Sequence, residues 1–300
     1  DQMILDNRDN TFNYIISAIR LTEEYAQTLG RRMEVYDLRV NSDLDSPNGK
    51  KYGLGSSAAV TVATVKALCE FYQIPLTKSK LFKLSAIAHL DVQGNGSLGD
   101  VAASVYGGWI AYQSFDRNWL MAAHRQQSLT ELVDQPWPDL TITQLTPPEN
   151  LRLIIGWTGS PASTSHLVDK VAISKSRQHE TYNQFLIDSK KCLNDLIDGF
   201  KNGSLSTIQA GIQKNREILK RLAEFSKVQI ETPTLKKMCD IAVAHSAAAK
   251  SSGAGGGDCG IVVIDKNQNI KSLIKRWEEN GITRLSLRVH PVIDLAKETK

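Results

Sequence analysis

The sequence predicts an α+β fold in two domains, with a sheet covered by helices. The chain ends in a helix–strand–helix–strand series that follows an earlier strand, the pattern of a layered α+β sandwich. Pro136 to Asn150 holds four prolines and few apolar residues, which sets a boundary between domains 1–147 and 148–300. The apolar fraction, 41%, is enough for two real cores.

Thr11 to Leu29 reads as a helix whose apolar face carries Ile15, Ile16, Ile19, Tyr25 and Ala26. Glu34 to Val40 alternates Val35, Leu38 and Val40 as a strand does, and Ser42 to Lys51 is a polar loop with a Pro-Asn-Gly turn. A glycine- and serine-rich turn then leads into a helix that runs to about Tyr72, and a further helix covers Leu81 to Leu90. Gln93 to Asp100 is another glycine-rich turn, opening a small-residue helix, Val101 to Val105, that Gly107-Gly108 ends. Trp109 to Phe115 and Leu151 to Trp157 read as strands. Helical patterns run from about Ser163 to Phe200, with a break, and from Leu205 to Phe225. Thr234–Lys250 (helix), Gly260–Asp265 (strand), Ile270–Glu279 (helix) and Ile282–Val289 (strand) complete the chain.

Charge and cysteine usage exclude several classes. A net charge of +4 without a dense basic run speaks against nucleic-acid binding and leaves room for a small anionic substrate. No apolar stretch of membrane-spanning length and no signal peptide is visible, so no membrane partner is expected. The four cysteines are widely spaced and never form C-x-x-C; they read as reduced thiols of a cytoplasmic protein.

Lys50 to Leu68 carries the strongest chemical signal. Gly53 and Gly55 allow backbone conformations and approaches that a β-carbon blocks. Ser56 and Ser57 can cap the helix that follows, whose free N–H groups and dipole suit a phosphate. No G-x-x-x-x-G-K-[ST] occurs, so this is not the common nucleotide loop; read alone, it is also an ordinary connection. Lys51 stands one residue before the loop's Tyr52-Gly53 and can reach a phosphate as a point charge, against the default of an exposed lysine. A second cluster, Gly253 to Gly260, has five glycines in eight positions, more than a turn needs, which points to a backbone passing close to something. Its G-x-G-x-x-G spacing is not a dinucleotide fingerprint, because a helix precedes it and a strand follows.

Asp100 is the best acidic candidate. Glycines clear space beside it, and Ala102, Ala103 and Ser104 let its helix pack tightly; a plain helix cap is the competing reading. Thr158 to Ser165 is a hydroxyl-rich turn after a strand and before a helix, suited to a phosphate or carboxylate or simply to capping. The histidines show no H-x-x-x-H spacing, and His89, His166 and His245 read as structural or surface residues. No G-x-S-x-G elbow is present.

Tyr52-Gly-Leu-Gly-Ser-Ser-Ala-Ala59 resembles the second motif of the GHMP small-molecule kinases. Gly96-Ser-Leu-Gly-Asp-Val-Ala-Ala-Ser-Val-Tyr-Gly-Gly108 resembles the segment holding their catalytic aspartate, and Ser252-Gly-Ala-Gly-Gly-Gly-Asp-Cys259 their third motif. Order and spacing agree over nearly the whole chain. The resemblance implies an N-terminal domain of the ribosomal-protein-S5-like type and a C-terminal ferredoxin-like α/β sandwich. It implies ATP and Mg²⁺ as cofactors. Lys51-Tyr-Gly-Leu-Gly-Ser-Ser, Asn95-Gly-Ser-Leu-Gly-Asp and Trp157-Thr-Gly-Ser-Pro-Ala-Ser-Thr further imply phosphoryl transfer to (R)-5-phosphomevalonate, giving the 5-diphosphate in isoprenoid synthesis. Another GHMP enzyme acting on mevalonate or its diphosphate, and a catalytically silent binding protein, are the alternatives.

By the same resemblance, Gly53, Leu54, Gly55, Ser56, Ser57 and Ala58 would wrap the ATP phosphates, with Ser57 the Mg²⁺ ligand. Asp100 would lie beside the transferring phosphoryl group, with Lys51 near the phosphates. Ser97, Ser160 and Ser163 would bind the acceptor, and Gly253, Ala254 and Gly255 would close around the site. The family begins with a strand and a loop bearing a proline-glycine-lysine-type motif; this sequence holds no such segment, so the first strands are expected to be missing. Where many members carry a magnesium-binding glutamate, the sequence has His89, and Asp91 is the nearest substitute.

Overall fold

Two units make up the chain in a computed structural model, which describes residues 10–295 except 45, 163 and 178, with only the backbone for 164, 165 and 174–177. Against a single cut at 147/148, the units interleave. The first takes Asp1–Asn41, Gly55–Gln144 and Val289–Lys300; the second takes Ser42–Leu54 and Leu145–Arg288. Ser42–Leu54 goes with the second because Cys259 Sγ donates to Tyr52 O at 3.0 Å and the Tyr52 ring meets Trp157 edge-on at 4.9 Å. Burial pushes the Cys259 thiol up to about 12, so it stays a protonated donor.

The first unit is mostly helical. α1 (Thr11–Thr28) starts at Asn10, whose side chain accepts from Phe12 N–H. Its buried stripe is Tyr14, Ala18, Leu21, Thr22, Tyr25 and Ala26, so the expected Ile15, Ile16 and Ile19 lie at the edge of the core face, half-buried. α2 (Ser56–Phe71) and α3 (Lys78–Val92) pack on it. Leu81 to His89 are all buried, which makes α3 the central helix, enclosed on every side. α4 (Gly99–Tyr106) leads to β1 (Trp109–Gln113), which pairs with β2 (Thr141–Leu145) inside the stretch expected to be linker.

α5 (Arg117–Gln126) and α6 (Leu129–Asp134) were not foreseen. Ser128 and Glu131 form a capping box at the start of α6. Buried Lys83 donates to Val133 O (3.2 Å) and Gln135 O (2.7 Å), closing that helix's other end. Burial lowers the Lys83 pKa. Phe82, Phe115 and Trp137 form an aromatic cluster beneath. Residues 34–40 form no strand: Val35 is fully exposed, and Tyr36 instead packs on Phe71 and hydrogen-bonds Glu23. After the second unit the chain returns and lies on Gly107-Gly108. Gly108 N–H donates to His290 O (2.7 Å), Ile293 N–H donates to Tyr106 O (2.9 Å), and a β-carbon on Gly107 would lie 2.3 Å from Pro291 O.

The second unit is an antiparallel sheet of order β4-β5-β3-β6: β3 (Leu151–Trp157), β4 (Ala248–Ser251), β5 (Cys259–Asp265) and β6 (Thr283–Leu285). With α7 (Thr164–Arg177), α8 (His179–Lys201), α9 (Leu205–Ser226) and α10 (Pro233–Ala244) between β3 and β4, and α11 (Lys271–Glu278) between β5 and β6, the elements follow the βαββαβ plan of the ferredoxin-like arrangement, its first helical position filled by four helices. The helix expected to reach Lys250 stops at Ala244. Ser246 takes a left-handed φ of 62°, and the residues after it enter β4. β6 is likewise shorter than the expected Ile282–Val289.

Gly156 and Gly260 face each other across β3 and β5. β-Carbons there would meet Met238 of α10, and at Gly156 also Trp277 of α11, so their absence lets both helices sit on the sheet. Among the described residues no helix is long and apolar enough to cross a membrane, and Cys69, Cys192, Cys239 and Cys259 are unpaired and buried.

Candidate active site

In the first unit, the start of α2 and the start of α4 come together. Gly55 is the N-cap of α2, in a left-handed conformation (φ 76°, ψ 40°) with no side-chain cap. The serines do not cap this helix as expected. Its first N–H groups are left to whatever binds there, and its dipole favours an anion. A β-carbon on Gly55 would lie 3.3 Å from the Asp100 β-carbon, so the glycine sets how closely the loop approaches that residue.

Asp100 stands exposed in the first turn of α4, and its Oδ1 accepts from Val101 N–H at 2.9 Å. Asp100 is thus not the cap of α4 but a first-turn residue, one oxygen bonded to Val101 N–H, and a β-carbon on Gly55 would lie 3.6 Å from the other. The N-cap of α4 is Leu98, buried and in a left-handed conformation (φ 63°). Its strain is held by the surrounding turn. Tyr112 OH and Ser114 Oγ both donate to Ser97 O, Arg117 donates to Gly94 O and Gly96 O, and Gln93 bonds Asn95. Ser97 itself is exposed, and its Oγ accepts from Gly99 N–H.

His89, expected from the sequence to be structural or at the surface, is structural, and its partner Ser57 was not foreseen. His89 is 3% exposed, its Nε2 lies 3.2 Å from Ser57 Oγ, and its ring packs 4.8 Å from the Tyr14 ring. Its Nδ1 is buried without a hydrogen-bond partner. Burial lowers its pKa below the ordinary histidine value, while the Asp100 charge pulls the other way. The imidazole is therefore neutral at pH 7 and holds the Ser57 hydroxyl. No spacing signalled this, because the pair joins two helices far apart in sequence. Burial raises the Asp91 pKa, its charged neighbours are His124 and Glu24, and no described hydrogen bond joins it to the loop.

Among the described residues no group of three or more His, Cys, Asp and Glu side chains is arranged to hold a metal. Such a sparse donor set fits a magnesium ion that arrives on phosphate oxygens and keeps its waters, since that ion needs one or two protein oxygens. The Ser57 hydroxyl and the Asp100 carboxylate are of that kind.

The second unit carries the other expected residues. Lys51 and Gly53 are exposed, Leu54 is half-buried, and Gly53 has φ 73°. A β-carbon on Gly53 would lie 2.3 Å from Asp258 Cγ. Several glycines of the second cluster, Gly253 to Gly260, are needed by the protein itself. A β-carbon on Gly255 would lie 2.5 Å from Ile230 O, Gly256 N–H donates to Ile230 O (2.6 Å), and a β-carbon on Gly257 would lie 2.3 Å from Ser160 O. Gly253 differs: it is exposed, left-handed (φ 61°) and has open space where a β-carbon would point. Ala254 beside it is half-buried. Ser160 is exposed, its N–H bonds Thr158 Oγ1, and its carbonyl accepts from Asp258 N–H. Ser163 lies outside the described residues. The structure thus gathers Gly55, Ser57, Ala58 and Asp100 in one unit and Gly53, Ser160 and the Gly253–Gly260 cluster in the other.

Residues 13–108 match the family described as GHMP kinases N terminal domain, and residues 196–283 match GHMP kinases C terminal. A phosphomevalonate kinase of Streptomyces sp. (strain CL190) is 36% identical over 276 residues, covering 91% of this chain and 74% of that protein. A protein of Listeria innocua has a crystal structure similar to this chain at a TM-score of 0.90 and 36% identity, over 95% of this chain and 80% of the other. The Streptococcus pneumoniae phosphomevalonate kinase, solved with phosphomevalonate and AMPPNP, is similar at a TM-score of 0.83 and 30% identity, over 94% and 81%.

Proposed function

The chain belongs to the GHMP kinase family, and from that premise we propose that it transfers the terminal phosphoryl group of ATP to the phosphate of (R)-5-phosphomevalonate, giving the 5-diphosphate and ADP. The observation that carries this reading is the likeness, at 36% identity over 91% of the chain, to a phosphomevalonate kinase. The geometry supports it. The uncapped start of α2 offers N–H groups and a dipole to the ATP phosphates. Phosphoryl transfer asks for positioning and charge neutralisation more than for covalent chemistry. The attacking group is itself a phosphate, with a second pKa of about 6, so it is largely dianionic at pH 7 and needs no strong base. Asp100 accordingly orients the reacting groups; it does not take a proton. Ser57 and Asp100 are the oxygens that would hold a magnesium ion, whose chemistry is to neutralise charge on the phosphates. Lys51 adds a cation on the approach to the loop, and Ser97, Ser160 and Ser163 serve the acceptor. A cytoplasmic location fits soluble substrates and four unpaired thiols.

The test is a coupled ADP-release assay with ATP and Mg²⁺, offering phosphomevalonate, mevalonate or no acceptor. Turnover with phosphomevalonate alone is expected. Turnover with mevalonate alone moves the chain to another activity of the family. ATP binding without turnover on any acceptor makes it a silent relative.

A further inference from the structure

Asp258 is the residue on which the expected acceptor turn hangs. Its backbone is left-handed (φ 48°), a conformation that aspartate tolerates at a cost and that marks an imposed position. Its N–H donates to Ser160 O at 2.6 Å. Its carbonyl accepts from both Thr158 N–H (2.8 Å) and Thr158 Oγ1 (2.9 Å). Its half-buried carboxylate lies against Gly53, where no β-carbon would fit; burial raises its pKa, and a hydrogen bond from Ala162 N–H pulls it the other way. One residue therefore fastens Thr158, Ser160 and Ala162 and bounds the loop at Gly53. Three of these four bonds are made by the backbone and would survive any side-chain change. The fourth, from the carboxylate, is the one the side chain chooses.

We propose that Asp258 is a positioning residue for the acceptor: its carboxylate fixes the Thr158–Ala162 turn and so sets the affinity for the phosphorylated substrate. This rests on the kinase reading above. Asp258→Gly separates the side chain from the backbone, because glycine adopts the left-handed conformation without strain and keeps the backbone bonds. Asp258→Asn keeps an oxygen for Ala162 N–H, and Asp258→Ala keeps the contact with Gly53 but not the oxygen. In Asp258→Gly and Asp258→Ala, the KM for phosphomevalonate should rise about tenfold, the worth of a charge-assisted hydrogen bond, while the KM for ATP moves less than about twofold. Asp258→Asn should restore most of the acceptor affinity.

Amide hydrogen exchange at Ala162, read on the same proteins without turnover, should quicken in the glycine and alanine variants and stay slow in the asparagine variant. Equal rises in both KM values together with a falling melting temperature would make Asp258 merely structural, and unchanged exchange at Ala162 would overturn the proposal. If the wild-type chain phosphorylates nothing, the kinase reading fails, and exchange at Ala162 still decides whether the carboxylate holds the turn.

Discussion

Asp100 and Ser57 carry the sharpest expectations at the scale of single residues. Asp100→Asn keeps the size of the side chain and an oxygen for Val101 N–H, but removes the charge. We expect kcat to fall about 100-fold, as when a preorganised electrostatic group is lost, with the shape of the pH–rate profile unchanged. A loss confined to the pH range where the wild-type carboxylate titrates would instead make it a base. Ser57→Ala leaves the buried His89 ring without its hydrogen bond on Nε2, beside an Nδ1 that already has none. Stability should drop by about 1–3 kcal/mol in urea denaturation, and by clearly less when His89→Leu is already present. The sequence made Ser57, Asp100 and Gly55 visible because glycine and serine at a helix start have local causes. His89 was invisible as a partner, because a contact between α2 and α3 leaves no local pattern. Asp258 stood within a glycine run whose excess was read as a backbone passing close to something; among the described residues, what Gly255, Gly256 and Gly257 pass close to is Ile230, Leu167 and Ser160 of the protein itself.

Elements with strong periodicity were legible, and those defined by their ends were not. α1, α2, α9, β3 and β5 agree with the expected spans to within a few residues, since apolar spacing alone specifies them. α6 is a single capping box around six residues, Leu129–Asp134. The Ser128-x-x-Glu131 signature was there to read, but too short a run follows it to show a period. Ser128→Ala should cost about 1 kcal/mol by thermal or urea unfolding, with Ser128→Asp close to wild type. The run through residues 234–250 shows the opposite failure. Its alanines favour a helix throughout, yet Ser246 in the left-handed region turns the chain, and Ala248 and Ala249 are buried in a strand beside β5. Here sheet pairing overrides propensity. Val35, Leu38 and Val40 alternate like a strand, but among the described residues they have no strand to pair with.

For the molecule as a whole, the two-unit α+β plan followed from the sequence, while the way the units share the chain did not. Periodicity reports neighbours in sequence, and the contacts that assign Ser42–Leu54 and Val289–Lys300 to their units are distant ones. Ending the chain after Arg288 tests the second of these. Amide exchange at Gly108, which donates to His290 O, should quicken, while the β3–β5 amides at Ile154 and Val262 stay protected. The strand of chain laid over Gly107-Gly108 also bears on how the protein is made. A ribosome releases the helices of the first unit early, but the stretch that covers their glycines emerges only after the entire ferredoxin-like unit has been translated. The nascent first unit must therefore wait, with Tyr106 O and Gly108 N–H solvated, until the stretch around His290 and Ile293 has emerged. Its final closure is a slow, long-range step, and slowing translation through the second unit should prolong its sensitivity to protease.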